Sequence, residues 1–201
     1  MVVQGRVFTQ AESDGLGDDG VYHDCVFDGL DLRHASLRDC VFDRCSFQNA
    51  DLTGGRCNGS TFQSCNLSNS KLHGANLFGA TFTECKFLGV DFSQRVVLTA
   101  TKFTACNFDY SNFRGLDLSG RNFDRCSFIE ADFALADLRN AFFVNANLAQ
   151  ASFTEAKFFQ TDLRGANLAG LDLRRHDLRG VIISAGQFAA LAAELGIQIL
   201  Y

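Results

Sequence analysis

The segment NFDRCSFIEADFALADL, residues 122–138, places a large apolar residue at every fifth position: Phe123, Phe128, Phe133 and Leu138. The same spacing runs through residues 27–92 and, after a shift of one residue, through residues 103–183. Of the 31 positions in these two series, 29 are Phe or Leu. A period of five fits neither the helical period of about 3.6 residues nor the alternation of a strand. The chain is therefore predicted to be built from short repeats.

Each repeat has the same order of side chains, as in Ala131-Asp132-Phe133. A small residue comes first, then Asp, Asn, Ser or Thr, then the large apolar residue, which we call the centre. Residues two apart in extended chain point the same way, so the small residue and the centre both face inward. The two residues after the centre are polar, small or glycine, which suits a turn. Each pentapeptide is thus predicted to form one side of a coil.

The cysteines indicate how many sides a coil has. Cys25, Cys45, Cys65 and Cys85 are 20 residues apart, and Cys106 and Cys126 continue the series after the shift. Four pentapeptides therefore complete one turn, which predicts an all-β, four-sided solenoid of about eight coils over residues 22–183. Residues 1–21 are predicted to form an N-terminal cap segment. Residues 184–201 are predicted to form a C-terminal α-helix and tail.

The remaining composition narrows the class of protein. The eight cysteines follow the repeat and include no C-x-x-C pair, so we expect buried, reduced thiols, no metal site and a cytoplasmic location. The net charge of -5 argues against direct nucleic-acid binding. No apolar run is long enough to predict a membrane span. No catalytic or cofactor motif occurs, so the chain is predicted to be neither an enzyme nor a cofactor protein.

The repeat is interrupted between Phe92 and Phe103, where one extra residue is present. Either Val97 or Leu98 can serve as the centre of this unit. Arg95, and later Arg121, fall at inner positions that are otherwise small. One interpretation is a bulge that kinks the rod. The other is a small recognition loop formed by Arg95, Val96 and Val97.

A helical pattern begins after Ile183. Ser184 and Gln187 have the spacing of a capping box, and Gly196 is a natural stop. An apolar stripe follows, and beyond it an apolar tail. This segment either caps the last coil or forms a homodimer contact, which we favour because outward Phe142, Val144 and Ile182 add apolar surface nearby. The predicted dimer interface comprises Phe188, Leu191, Ala192, Leu195, Ile197 and Ile199.

Acidic residues repeat on the outside of the predicted rod. Because units 20 residues apart stack, the residues that precede the centres form columns. One acidic column contains Asp31, Asp51, Asp91, Asp132 and Asp172; the neighbouring acidic column contains Asp117, Asp137 and Asp177. Arginines stand beside them at Arg33, Arg38, Arg114, Arg139, Arg174 and Arg179. The acids either serve turn geometry and solubility or form a negative surface that attracts a basic partner.

These repeats resemble the pentapeptide repeat family, and the chain's ending resembles that of its gyrase-protecting Qnr, MfpA and AlbG subgroup. The family resemblance implies a right-handed quadrilateral β-helix. The subgroup resemblance implies a dimer joined through C-terminal helices. It also implies a DNA mimic that occupies the DNA saddle of DNA gyrase and protects the enzyme from fluoroquinolones or albicidin. The acidic columns would then be the partner-binding surface. The alternative is a structural or interaction scaffold with another protein partner.

Overall fold

The computed structural model describes residues 2–13, 15–171 and 176–194, with no side-chain description for residues 193 and 194. The chain winds into a parallel β-solenoid followed by a helix, which confirms the predicted fold class. One six-stranded sheet has its strands in chain order: β1 (Val2–Gln4), β2 (Val21–His23), β3 (Val41–Asp43), β4 (Thr61–Gln63), β5 (Thr81–Thr83) and β6 (Lys102–Thr104). The two helices are α1 (Gln10–Ser13) and α2 (Ala185–Glu194).

The strands stack with the predicted period. Phe42 pairs with Phe62, and Phe62 pairs with Phe82, each 20 residues further along the chain. Phe82 pairs with Phe103, so the step across the interruption is 21 residues. The six strands make five turns of regular sheet, fewer than the eight coils expected. Beyond residue 104 the parallel pairing continues through single-residue bridges as far as Ile182.

The bridges fall into four columns, one for each side of the rod. Face 1 contains the six strands and continues through residues 122, 142, 162 and 182. Face 2 begins with the bridge of Val7 to Val26, face 3 with Asp31 to Asp51, and face 4 with Ser36 to Arg56. The quadrilateral cross-section predicted from the cysteine spacing is thus present in the pairing.

The interior is filled by the centres and the small residues before them. Phenylalanine rings stack along the rod, as in Phe42 on Phe62 with centroids 4.8 Å apart. All eight cysteines are free and buried, as expected. The Cys65 thiol donates to the carbonyl of Phe42 in the preceding coil at 3.3 Å. Burial raises the pKa of Cys57 to about 12, so this thiol stays protonated at neutral pH.

The corners explain the residues that follow each centre. The second turn residue adopts a left-handed conformation, with φ of 57° at Asn145 and 71° at Gly165 directly beyond it. This conformation favours Gly and Asn over other residues, which accounts for their frequency at the corners. The rod can therefore turn every five residues without interrupting the core.

The N-terminal segment covers the first coil. β1 pairs in parallel with β2, which extends the sheet by one strand. The start of α1 is capped by Glu12, whose carboxylate accepts from the Thr9 amide at 2.8 Å. The Gln10 side chain then exchanges two hydrogen bonds with the backbone of Asp31, at 2.8 and 3.0 Å.

Among the described residues, neither helix has the length and apolar character needed to span a membrane.

Candidate partner-binding surfaces

The two predicted acidic columns occupy adjacent faces. On face 3, Asp31 bridges Asp51, and Asp132 bridges Asn112 on one side and Ser152 on the other. On face 4, Asp117 bridges Asp137 directly. Asp172 lies outside the described residues. The bridges thus place Asp31, Asp51, Asp91 and Asp132 on face 3, and Asp117 and Asp137 on the adjacent face 4.

Most of these carboxylates are paired with a cation. Arg33 binds Asp31 at 2.5 Å, and Arg139 binds Asp137 at 2.6 Å. Further ion pairs join Asp51 to Lys71 at 3.7 Å, Asp132 to Arg114 at 3.7 Å and Asp177 to Arg179 at 2.6 Å. The Arg33 hydrogen bonds lower the pKa of Asp31 to about 2. These ion pairs cancel much of the electric field of the acids at a distance.

Asp91 and Asp117 differ from the other acids of the two columns. Among the described residues neither has a cation within ion-pair distance. The Ser93 hydroxyl donates to Asp91 at 2.6 Å, and the Ser119 hydroxyl donates to Asp117 at 2.6 Å. Hydrogen bonds from Ser119 lower the pKa of Asp117, so it is ionised at neutral pH. Among the described residues, the acids of these columns that lack a direct ion pair therefore lie near the middle of the rod.

The interruption lies beside these two acids, and the structure resolves its register. Leu98 is the buried centre, and Val96 takes the small inner position with 8% of its surface exposed. The extra residue lengthens the preceding turn, where Arg95 donates its amide to the Ser93 carbonyl at 3.0 Å. Arg95 is exposed in a left-handed conformation, so its expected inner placement is wrong. Burying Val96 and Leu98 together removes more apolar surface from water than burying Arg95 would.

This register divides the predicted recognition loop. Val96 packs in the core and offers no surface to a partner. Val97 is 39% exposed and points outward on face 4, and Arg95 is exposed at the adjacent corner. Arg95 and Val97 therefore lie on the surface, in the coils that also carry Asp91 and Asp117. Val96 lies beneath them in the core.

The side chain of Gln187 joins the C-terminal helix to the last described coils by hydrogen bonds. Ser184 and Gln187 form the predicted capping box, with the Ser184 amide donating to Gln187 Oε1 at 2.9 Å. The same oxygen accepts from the Gly165 amide at 3.0 Å. Gln187 Nε2 donates to the carbonyls of Leu163 at 2.8 Å and Ala166 at 2.9 Å. Gln187 thus caps α2 and binds it to a solenoid corner at the same time.

The apolar stripe of α2 does not face one way. Phe188 is 56% exposed, whereas Ala192 is buried within the protomer and Leu191 is partly buried. Ala192 therefore packs against its own chain, and its predicted place in a dimer interface has no support in the structure. Leu195, Ile197 and Ile199 lie outside the described residues.

Face 1 carries exposed apolar residues near the same end. Phe142 and Ile182 point outward as predicted, each close to half exposed, while Val144 is half-buried. Between Phe142 and Ile182 lies Asp162, whose carboxylate is buried and bound by Arg164 at 2.7 Å. The sequence analysis missed Phe159, which is exposed at a corner where polar or small residues usually stand. Its position directly after the centre Phe158, where a polar or small residue is expected, could have identified it from the sequence.

The described interior of the rod is filled by packed side chains. Among the described residues, no group of three or more His, Cys, Asp or Glu side chains is arranged to hold a metal ion. The candidate partner-binding surfaces therefore lie on the outside of the rod. They are the acidic columns, the interruption and the C-terminal apolar surface.

These features define the class: a four-sided β-solenoid built from five-residue repeats. Family models agree with it, since "Pentapeptide repeat region" matches residues 19–92 and "Pentapeptide repeats (8 copies)" matches segments that together span 106–184. The chain belongs to the pentapeptide repeat family. No curated protein sequence matches it.

Two solved structures show how widely the fold is shared. Full-length QnrB1, a plasmid-mediated fluoroquinolone resistance protein, is 22% identical, with a TM-score of 0.75 over 98% of this chain and 97% of that one. HetL, from the cyanobacterium Nostoc sp. strain PCC 7120, is involved in heterocyst differentiation regulation. It is 24% identical, with a TM-score of 0.58 over 90% of this chain and 84% of that one. At these identities the likeness establishes the fold alone.

Proposed function

We propose that this protein is a non-enzymatic DNA mimic that binds DNA gyrase and protects it from a gyrase poison such as albicidin or a fluoroquinolone. The observation that carries the proposal is the likeness to QnrB1, which extends over nearly the whole of both chains. The rod and its terminal helix are thus present together, as the Qnr-like subgroup requires. Such a protein would act inside the cytoplasm, where gyrase works.

The charge distribution supports a specific version of this proposal. A DNA-binding saddle is basic, so a mimic must present uncompensated negative charge to it. Asp91 and Asp117 supply that charge on faces 3 and 4, whereas Asp31 and Asp137 are held by arginines. We therefore assign the main gyrase contact to the middle of the rod, with Arg95 and Val97 at its edge. The other members of the acidic columns, including Asp172 and Asp177, contribute weaker attraction.

Replacing Asp91 and Asp117 together by Asn tests this assignment. The Asp91 and Asp117 side chains accept hydrogen bonds from the amides of Ser93 and Ser119. An Asn oxygen makes the same contact at Asn147, so the turns are preserved. We expect D91N/D117N to bind gyrase on the order of 10-fold more weakly at low salt. Surface plasmon resonance with immobilised gyrase measures the change.

The matched control is E84Q/E130Q, which removes two carboxylates from corner turns instead. Both double variants change the net charge of -5 by the same two units. A general charge effect would weaken both equally, whereas a localised contact weakens only D91N/D117N. Equal binding by wild type and D91N/D117N would refute the assignment to the middle of the rod.

We also propose that two copies associate through the C-terminal end. The support is the exposed apolar surface there, formed by Phe142, Ile182 and Phe188. A two-fold contact buries such a surface against its own copy. A dimer would present two acidic rods, related by the two-fold axis, to one gyrase assembly.

Replacing Phe188 by Glu tests the dimer. Phe188 is exposed within the protomer, so the substitution leaves the core intact. We expect the F188E protein to be a folded monomer by light scattering, because a buried, unpaired carboxylate at the interface is strongly destabilising. The control is Phe78→Glu, at a half-exposed Phe that lies 110 residues before Phe188. We expect the F78E protein to remain dimeric. A wild-type monomer, or a dimer that survives F188E, would contradict the proposed contact.

A second candidate function is a scaffold that binds a different protein. The fold likeness to HetL favours it, because a similar solenoid serves a regulatory role there. A scaffold would leave gyrase unaffected with or without a drug, so the gyrase assay separates the two functions.

A further inference from the structure

The backbone pairing between two successive coils is broken along half a turn of the rod. In the described chain no bridge joins Val97 to Asp117 on face 4, or Lys102 to Asn122 on face 1. Each of these four residues is paired on its other side, as Val97 is with Asn76. Pairing resumes on face 2, where residue 107 bridges residue 127. We call this break the slit.

Amides at the slit lack the partners that equivalent amides have. One coil further on, Leu118 donates to the Asp137 carbonyl at 2.9 Å, and Phe142 donates to the Arg121 carbonyl at 2.8 Å. Among described residues the corresponding amides of Leu98 and Asn122 have no backbone or side-chain acceptor. Each missing bond removes the net stabilisation that a backbone hydrogen bond would give to this junction.

The core is also wider at the slit. The rings of Phe103 and Phe123, which face each other across it, have centroids 6.1 Å apart. On the same face, Phe62 and Phe82 are 4.6 Å apart, and Phe123 and Phe143 are 5.2 Å apart. Two cavities of about 460 and 580 Å³ open along the slit. The coils therefore separate on faces 4 and 1 while they remain in contact on face 2.

Arg121 explains the separation. It occupies the small inner position of its repeat, where Ser60 and Ser111 stand in other coils. Its guanidinium enters the slit and donates to the carbonyls of Leu98 at 2.7 Å and Thr101 at 3.4 Å. Burial lowers the pKa of Arg121, but the group remains charged at neutral pH. A guanidinium is too large for the normal spacing between coils of about 4.8 Å, so the coils are held apart.

A second break provides a comparison. The bridge expected between Lys71 and Asp91 on face 3 is also missing in the described chain. There the corner beyond the break is closed, because the Gly74 amide donates to the Gln94 carbonyl at 2.8 Å. A break on one face cannot open a wedge when both neighbouring sides are paired. The slit differs because it spans two adjacent faces.

We propose that the slit is a hinge between two stiff segments of the rod, held open by the Arg121 guanidinium. One segment ends with the coil of Val97 and Lys102, which is paired with the coil before it. The other begins with the coil of Asp117 and Asn122, which is paired with the coil after it, and face 2 is the axis between them. Bending about this axis changes the angle between the acidic surfaces on either side, so the rod adapts to the curvature of whatever it binds. The hinge does not rest on the identity of that partner.

Hydrogen exchange measured by NMR on the wild-type protein tests the hinge directly. We expect the amides of Leu98 and Asn122 to exchange on the order of 100-fold faster than those of Leu118 and Phe142. These pairs occupy equivalent repeat positions, and dividing each measured rate by the intrinsic exchange rate of its sequence removes the difference in side-chain type between Asn122 and Phe142. Equal protection of the two pairs would overturn the proposal.

Arg121→Ser tests the role of the guanidinium. Serine suits this inner position, since Ser60, three coils earlier on the same face, donates its hydroxyl to the Leu37 carbonyl at 2.5 Å. We expect R121S to close the slit and to slow exchange at Leu98 and Asn122 on the order of 10-fold or more. The control is Arg125→Asn, at an exposed corner with φ of 58°, which should change neither amide. A folded R121S protein with unchanged exchange at both amides would show that Arg121 does not hold the slit open.

Discussion

Replacing Phe42 by Ala is expected to destabilise the solenoid by about 3–5 kcal/mol. The Phe42 side chain is completely buried, and its ring stacks between Tyr22 at 5.0 Å and Phe62 at 4.8 Å. Truncation removes buried apolar surface and leaves a cavity that the neighbouring coils cannot fill, because their spacing is fixed by backbone pairing. The urea midpoint of unfolding, followed by circular dichroism, measures the loss.

Phe78→Ala is the matched control for Phe42→Ala. Phe78 stands at a corner and is 50% exposed, so its truncation leaves no cavity in the core. We expect its midpoint to stay close to the wild-type value, within about 0.5 kcal/mol. If both variants lost the same stability, the continuous aromatic core would not be the main source of the rod's stability.

Gln187→Ala is expected to release α2 from the solenoid, with a loss of roughly 2–4 kcal/mol in the docking of the helix. The Gln187 amide makes hydrogen bonds to Leu163, Gly165 and Ala166 and also caps the helix through Ser184. Truncation leaves three solenoid backbone groups without these partners and removes half of the capping box. Limited proteolysis after residue 183 and the loss of helical circular dichroism report the release.

Gln48→Ala controls for Gln187→Ala, because Gln48 is exposed on a corner of the rod. It should leave both the helix and the protease resistance unchanged. If a folded Q187A protein kept a protected helix, the apolar contacts of α2, such as buried Ala192, would suffice to hold it.

The five-residue period predicts the interior well because inward positions are decided by packing. A large apolar side chain every five residues is buried throughout when each pentapeptide forms one side of a coil, and the cysteine spacing of 20 indicates four sides. Phe42, Phe62 and Phe82 stack accordingly. The Ser184 cap was predictable for a similar reason, since a capping box acts within a few residues of chain.

The outside was harder to predict because its properties depend on contacts between repeats. Arg95 was placed inward by counting alone, and the longer turn that moves it outward depends on burying both Val96 and Leu98. A helical stripe shows which residues share a face but not what covers them, so the burial of Ala192 was missed. The missing pairing beside Arg121 was also not predictable. It depends on hydrogen bonds from Arg121 to carbonyls about 20 residues earlier in the chain, which no local pattern reveals.

The charge pairing on the acidic columns is more predictable than the other surface features, but less predictable than the interior. Asp31-Leu32-Arg33 places acid and base two residues apart and facing outward, and the pair forms in the structure. The sequence Asp117-Leu118-Ser119 lacks the arginine, and among the described residues no cation lies within ion-pair distance of the Asp117 carboxylate. The difference in charge between these two units is readable from the sequence once the side chains are known to face the same way.

Supercoiling of relaxed plasmid DNA by purified gyrase, with this protein titrated against a fixed inhibitory dose of a fluoroquinolone or of albicidin, tests the central claim most directly. We predict that supercoiling recovers as the protein is added, that D91N/D117N requires higher concentrations for the same recovery, and that the protein does not retain the plasmid in a gel. Drug inhibition that stays unchanged at every protein concentration, with both classes of poison, would contradict gyrase protection.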